Sequence, residues 1–198
     1  TTTTSTLNST VNVNRSYDNW APDVSLTYRV NRDTNVWTRG SVAYGIPQFT
    51  NLTTGLDGNP GFNGSVKPQK NLNVEIGTES RLHKTLTVQL VGFVTFVKDE
   101  IITQVVSNTG GQAAINADSS QYRGIELFYD WRPLDGLRLS GAYTHIDARY
   151  INFSDRFLAG GIPTAFVRDG KAVPNVPTDT INFKESYDHA ASGWGGWV

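Results

Sequence analysis

The lengths of the links between alternating segments constrain this chain more than any one motif does. Six segments place an apolar residue at every second position. In "DVSLTYRV" Val24, Leu26, Tyr28 and Val30 share one face, with Ser25, Thr27 and Arg29 on the other. "NLNVEIG" sets Leu72, Val74 and Ile76 against Asn73 and Glu75, and "TLTVQLVGFVTF" alternates from Thr85 to Leu90 before becoming mostly apolar through Phe96. In "RGIELFYDW" Ile125, Leu127, Tyr129 and Trp131 oppose Glu126, and "LRLSGAYT" and "TINFKESY" repeat the pattern. A period of two marks strands with one apolar and one polar face. The links alternate too. "NRDTN", "RLHK", "RPLDG" and "DHAASG" are short, while Ile46–Lys70, Ser107–Gln121 and Ile151–Pro177 are long. In an up-and-down antiparallel sheet successive links lie at opposite ends, so every short turn falls on one rim and every long loop on the other.

That asymmetry belongs to membrane-spanning barrels, which join their strands by tight turns on one side and long loops on the other. Several alternating runs reach the 9–11 residues that a tilted membrane strand needs, beyond the ~5–6 usual in globular sheets. Aromatics sit where interfacial girdles would lie, with Trp131 beside a short turn and Tyr44 and Tyr143 towards long loops. No apolar run approaches the ~20 residues of a spanning helix, so a membrane crossing here must use strands. The expected fold is therefore all-β: an antiparallel up-and-down transmembrane β-barrel segment of about seven to nine strands. The alternative is a soluble β-sandwich, an adhesin or lectin binding through its long loops. The discriminating observation is what covers Leu72, Val74 and Ile76: a sandwich packs them against a second layer.

Composition removes other functions. The formal charge of −1 gives no reason to expect nucleic acid as a partner. Without cysteine there are no disulfides and no thiolate metal ligands, and His83, His145 and His189 have no metal-ligand companions at suitable spacing. His145 and Asp147 share a strand face, which reads as a rim contact rather than an acid–base pair. "GLDGNPGFNG", with Asp57, Asn59 and Asn63, lacks the spacing of a calcium loop and reads as turns. No nucleophile elbow, phosphate loop or dinucleotide fingerprint occurs. The expectation is a protein that is not an enzyme and uses no cofactor and no metal. The chain has no methionine and ends in "SGWGGWV", like a strand cut midway, so it reads as an internal piece of something larger.

Three stretches, in order, resemble one family. "VKPQKNLNVEIGTESRL" (Val66–Leu82) is similar to the segment of TonB-dependent outer-membrane receptors in which a long loop ends in a Lys-Pro-Glu-like turn and enters a strand carrying Glu-x-Gly. "VGFVTFVKDEIITQV" matches their aromatic-rich strand followed by Lys-Asp-x-Ile. "QYRGIELFYDWRPLDGLRLSGAYTHIDARY" resembles their Arg-Gly-x-Glu strand, short turn and Ala-Tyr-Thr-like strand. Gln69 stands where the family more often has Glu.

The resemblance implies that residues 1–198 are a partial barrel domain, roughly a third of a 22-strand barrel whose plug domain is not in this chain. It implies a multi-pass barrel of the Gram-negative outer membrane, embedded among lipid and lipopolysaccharide. Such a receptor imports a scarce ligand when TonB, acting through the plug, supplies energy. The ligand would be a ferric siderophore, with cobalamin, another metal chelate or a glycan as alternatives. It also implies that Glu75 and Glu126, on polar strand faces, form the barrel half of a latch that clasps plug arginines; the basic residues available within the chain are chiefly Arg29, Arg39 and Arg138. Ligand contacts are expected in the long loops, where specificity is carried on a rigid scaffold. "IPQFTNLTTGLDGNPGFNG" offers Phe49 and Phe62; "YINFSDRFLAGGIPTAFVRDGK" offers Tyr150, Phe153, Arg156, Phe157, Phe166 and Arg168. Arginine beside aromatics suits a planar anionic chelate, through charge and stacking.

Overall fold

A computed structural model describes residues 16–159 and 161–188. Seven strands form one antiparallel sheet in chain order: β1 (Asp23–Arg29), β2 (Thr34–Gly45), β3 (Gln69–His83), β4 (Leu86–Val105), β5 (Gln112–Leu134), β6 (Leu137–Asn152) and β9 (Asp179–Tyr187). A separate hairpin, β7 (Ser154–Ala159) and β8 (Ile162–Val167), stands inside the last long excursion. Each strand of the main sheet pairs with its sequence neighbour, with the β7–β8 excursion bridging β6 and β9. Among the described residues β1 and β9 are its two edges, and the sheet does not close on itself. The expected turn "DHAASG" and the strand after it lie outside the described residues, as does His189.

The burial pattern is inverted relative to a soluble sheet. Along β3 the polar residues Asn71, Asn73 and Glu75 are half-buried, whereas Leu72, Val74 and Ile76 are exposed at 42, 42 and 62%. The same face carries Leu26, Leu90, Ile125, Ile181 and Phe183, all exposed. No second layer of protein covers it among the described residues. An apolar surface this continuous is a place for hydrocarbon, since soluble monomers rarely expose patches beyond a few hundred Å². The soluble sandwich is thereby set aside. A further outcome follows from the open edges and the bare face: the isolated piece is expected to aggregate in detergent-free buffer. A monodisperse, folded peak in size-exclusion chromatography without detergent would contradict this.

One expected link is corrected. Ser107–Gln121 reads as a long polar loop, but β4 runs on to Val105 and β5 begins at Gln112, leaving six residues, 106–111, as the connection. At 3.3 Å per residue these strands are about 65–75 Å long, more than twice a bilayer's hydrocarbon thickness. Their outer halves therefore form a ribbon standing on the loop side. It is held by its neighbours. Leu52 and Val66 from the first long loop pack on Ala114 and Ile101. Tyr150, Phe153 and Val173 pack on Ala117 and Ile102 from the other side. Asn63 Nδ2 donates to the Ala114 carbonyl (2.8 Å), and Asn116 Oδ1 accepts from the Lys67 amide (2.8 Å). Where the ribbon leaves the wall, Asp99 adopts φ 56°, and Glu100 beyond it accepts from Ser120 Oγ (2.6 Å) and Tyr122 Oη (2.8 Å).

Candidate functional site

Two registered rows on the polar face build the site. One runs Arg39, Glu75, Phe93, Gly124; the next runs Trp37, Gly77, Val91, Glu126. Glu75 on β3 and Glu126 on β5 are therefore separated by the width of β4 and one step along the strand, about 12 Å between Cα atoms. Both carboxylates line a single hollow of about 470 Å³, walled by Trp37, Phe93 and Phe128 and completed by Gln89 and Val91. No lysine, arginine or histidine lines it.

The glycines of the two motifs seat its walls. A Cβ on Gly77 would fall inside the Trp37 ring, and one on Gly124 would overlap the His145 carbonyl oxygen and lie within 2.9 Å of the Phe93 ring. Each ring thus occupies space that a side chain at the glycine of the next strand would need. The spacings Glu-x-Gly and Gly-x-Glu set each carboxylate two residues from a ring seat, on the same face. Trp37, Phe93 and Phe128 did not stand out in the sequence. The signal that could have found Trp37 and Phe93 is an aromatic on a polar-face position opposite a glycine of the next strand; Phe128, which faces Gln89 and Ala142, carries no such signal.

The cations expected nearby are committed elsewhere. Arg39 faces Glu75 across the β2–β3 pair but makes a bidentate bond to Asp23, and Arg138 is bonded to Asp130. Arg29 lies at the turn end of β1, one further row away. Among the described residues neither Glu75 nor Glu126 has a hydrogen bond or ion pair through its carboxylate. A carboxylate held in a recess is costly unless it is paired, and the hollow leaves both carboxylates open to a cationic partner.

The loop residues divide by burial. Phe49 and Phe62 are exposed. Tyr150 and Phe153 are buried, their rings 4.6 Å apart, and form the core of their loop. Phe157 and Phe166 stack at 4.0 Å and 11° across the β7–β8 hairpin, partly exposed. Arg156 is exposed. Arg168 pairs with Asp155 at 3.1 Å. Tyr150, Phe153, Asp155 and Arg168 converge with Lys171 and Pro174 on a cavity of about 220 Å³. The structure thus brings Tyr150, Phe153 and Arg168 together, leaves the Phe157–Phe166 stack beside them, and places Phe49 and Phe62 on a different loop.

Other expectations resolve as follows. His145 shares a face with Asp147, but its Nδ1 pairs with Asp179 at 2.9 Å, while Asp147 is taken by Arg123 and Arg149. Gln69 uses its side chain locally: Oε1 accepts from the Ile101 amide (3.3 Å) and Nε2 donates to Asn71 (2.9 Å). Asp57 is a turn former, since the Asn59 amide and then its side chain donate to it and hold its carboxyl below the usual range.

An antiparallel meander with an exposed apolar face, a polar face lined by recessed carboxylates, short turns on one rim and long excursions on the other defines the wall of a transmembrane receptor barrel. The chain belongs to the family of TonB-dependent receptor-like β-barrels, whose family model matches residues 1–198. Solved structures share the fold. The copper transporter OprC aligns with a TM-score of 0.63 at 17% identity, over 85% of this chain and 24% of that one. The siderophore receptor PiuA from Acinetobacter baumannii gives 0.61 at 17%, over 83% and 23%. The ferric yersiniabactin uptake receptor FyuA from Yersinia pestis gives 0.53 at 22%, over 80% and 21%. The chain spans about a quarter of the length of each.

Proposed function

We propose that this chain is part of the barrel wall of a Gram-negative outer-membrane receptor that binds a scarce ligand outside the cell and imports it with TonB-supplied energy. The described residues would contribute seven neighbouring wall strands and three loop-side excursions, with the plug and the remaining strands supplied by the rest of the full receptor. The observation that carries the reading is the pair of carboxylates, Glu75 and Glu126, aimed into one aromatic-walled hollow that holds no cation of its own. It is the barrel half of a latch for two plug arginines, strong when bidentate and separable when the plug is pulled. The family is one of receptors and transporters, which supports a role in transport rather than catalysis.

The ligand we infer is an anionic metal chelate, in the first place a ferric siderophore. Support comes from the Phe157–Phe166 stack beside Arg156 and from the cavity with Arg168 and Lys171, which offer ring faces and positive charge together. The siderophore receptors among the structural neighbours favour the same class.

The test is made on the full-length receptor expressed in an iron-starved outer membrane. It is expected to fractionate with outer membranes, to need detergent for extraction, and to restore growth on a ferric siderophore only when TonB is present. R156A/F157A in that receptor is expected to weaken ferric-siderophore binding by about tenfold or more, as loss of one charge and one stacking surface implies. Extraction without detergent would overturn the membrane reading, and uptake independent of TonB would overturn the mechanism.

A further inference from the structure

The polar face that carries the two carboxylates changes sign towards the short turns. One registered row runs Arg81, Thr87, Asp130, Ser140 and Lys184 across β3, β4, β5, β6 and β9. Arg132 on β5 and Arg138 on β6 stand two residues nearer the rim on the same face. Arg81, Thr87, Asp130 and Arg132 line a hollow of about 380 Å³, completed by Lys84 and Thr85 from the short turn. Trp131, on the outer face between Asp130 and Arg132, sets this height at the short-turn interface. The hollow therefore lies at the short-turn mouth of the lumen.

Its donors are loosely held. Asp130 is taken by Arg138, which bonds to it through Nε and Nη2. That leaves Arg132 Nε 3.8 Å from Asp130 Oδ1, too far for a hydrogen bond. Arg81 Nη1 stands 3.9 Å from Asp33 Oδ1, likewise unbonded. Both side chains are exposed, at 63 and 65%. Lys84 and Lys184 have no ion pair among the described residues, and Thr87 Oγ1 no hydrogen bond. Arg81, Lys84, Arg132, Arg138 and Lys184 outnumber the carboxylates beside them, Asp33, Glu79 and Asp130, so the band carries a surplus of positive charge.

The order of charge along the wall follows from these positions. Glu75 to Arg81, and Glu126 to Arg132, is in each case about 20 Å of strand on one face. The loop side offers Arg168 and Lys171, the middle offers two carboxylates, and the mouth offers cations again. On the latch reading the plug arginines leave Glu75 and Glu126 when the plug is pulled. An anion in transit then passes a negative stretch before it meets this hollow, and the same stretch opposes its return. At physiological salt charges are felt over about 8 Å, so the attraction acts on cargo that touches this part of the wall. Arg81 and Arg132 need break no side-chain hydrogen bond to accept an anion, and being exposed they return to water when it leaves.

We propose that this hollow is an exit site for the anionic chelate: Arg81, Lys84 and Arg132 take one of its anionic oxygens at the mouth of the lumen, after it has passed Glu75 and Glu126. It rests on the import reading above.

Two measurements on the full-length receptor test it. In cells, the probe is a radiolabelled ferric siderophore that restores growth through the native receptor. R81Q/K84Q/R132Q is expected to bind it at the surface as the native receptor does, with unchanged heat-modifiable mobility, and to pass it to the periplasm about tenfold more slowly or worse. R81K/R132K, which keeps the charge, is expected to retain most of the native rate. In detergent, citrate added to the native receptor is expected to slow acetylation of Lys84 by an amine-reactive reagent while leaving that of Lys70, outside the lumen, unchanged. Native entry rates in the triple glutamine variant, or no protection of Lys84 by citrate, would each overturn the exit site. Faster hydrogen exchange of the plug in that variant would also overturn it, since the hollow would then hold an acidic part of the plug. A native receptor that binds no ferric siderophore, or imports it without TonB, would instead overturn the import reading, so the two failures are separable.

Discussion

Replacing Glu75 and Glu126 together by glutamine in the full-length receptor is expected to loosen the plug without unfolding the barrel. Glutamine keeps the shape and one acceptor oxygen but removes the charge. Each carboxylate that clasps a guanidinium in a recess contributes about 1.5–3 kcal/mol as a charge-assisted bond, so the pair is expected to weaken plug docking by about 3–6 kcal/mol. Among the described residues neither carboxylate makes a hydrogen bond or ion pair, and Arg39, opposite Glu75, keeps its bond to Asp23, so the wall itself should not suffer. The measurements are hydrogen exchange of the plug and passage of a bulky antibiotic through the barrel. Faster exchange confined to the plug and increased sensitivity are the expected results. Either single variant should show a smaller change, since the other carboxylate still holds. Unchanged plug protection and unchanged uptake in the double variant would sink the latch.

The second large effect is at Gly124. A Cβ there overlaps the His145 carbonyl oxygen, a backbone atom of β6 that cannot move without parting the β5–β6 ladder. G124A is therefore expected to cost upwards of about 3 kcal/mol and to abolish assembled receptor in the outer membrane. Gly77 differs, because what its Cβ would meet is the Trp37 side chain. G77A should also impair assembly, but trimming the ring in G77A/W37V should restore it, whereas G124A/F93V should not. Gly40, where a Cβ meets nothing within 4 Å, is the control, and G40A is expected to stay within about 0.5 kcal/mol of the native protein. Outer-membrane yield and heat-modifiable mobility read all five variants. Assembly of G124A at native yield would show that the close approach is not required.

The legible part of this fold is the part that meets hydrocarbon. Leu72, Val74 and Ile76 alternate with Asn73 and Glu75 because the two faces meet media of opposite character, and that contrast writes a strong period of two. Above the membrane the contrast disappears. Residues 112–121, "QAAINADSSQ", are strand, but the ribbon faces loops and water rather than lipid, so Ala113 and Ala117 suffice where a spanning strand would carry leucine. Polarity there looks like a loop. The β7–β8 hairpin was missed for the same reason, although two adjacent glycines between the alternating runs "SDRF" and "TAFV" are a hairpin signal. Of the site, the carboxylates were legible from their motifs. Their shared hollow was not, because it depends on register: only pairing of Glu75 with Phe93 and of Val91 with Glu126 brings them to one recess. The loop aromatics were legible as types but not as roles, since Tyr150 and Phe153 hold their own loop together while Phe157 and Phe166 face outward.

The β4–β5 ribbon is stayed on both flanks, by Leu52 and Val66 on one side and by Tyr150 and Phe153 on the other. Its tip at 108–110 touches neither cluster. A foreign peptide grafted there would be carried at a fixed height above the cell, in reach of antibody, while the stem kept its shape. A deletion in the stem would slacken both adjoining loops at once.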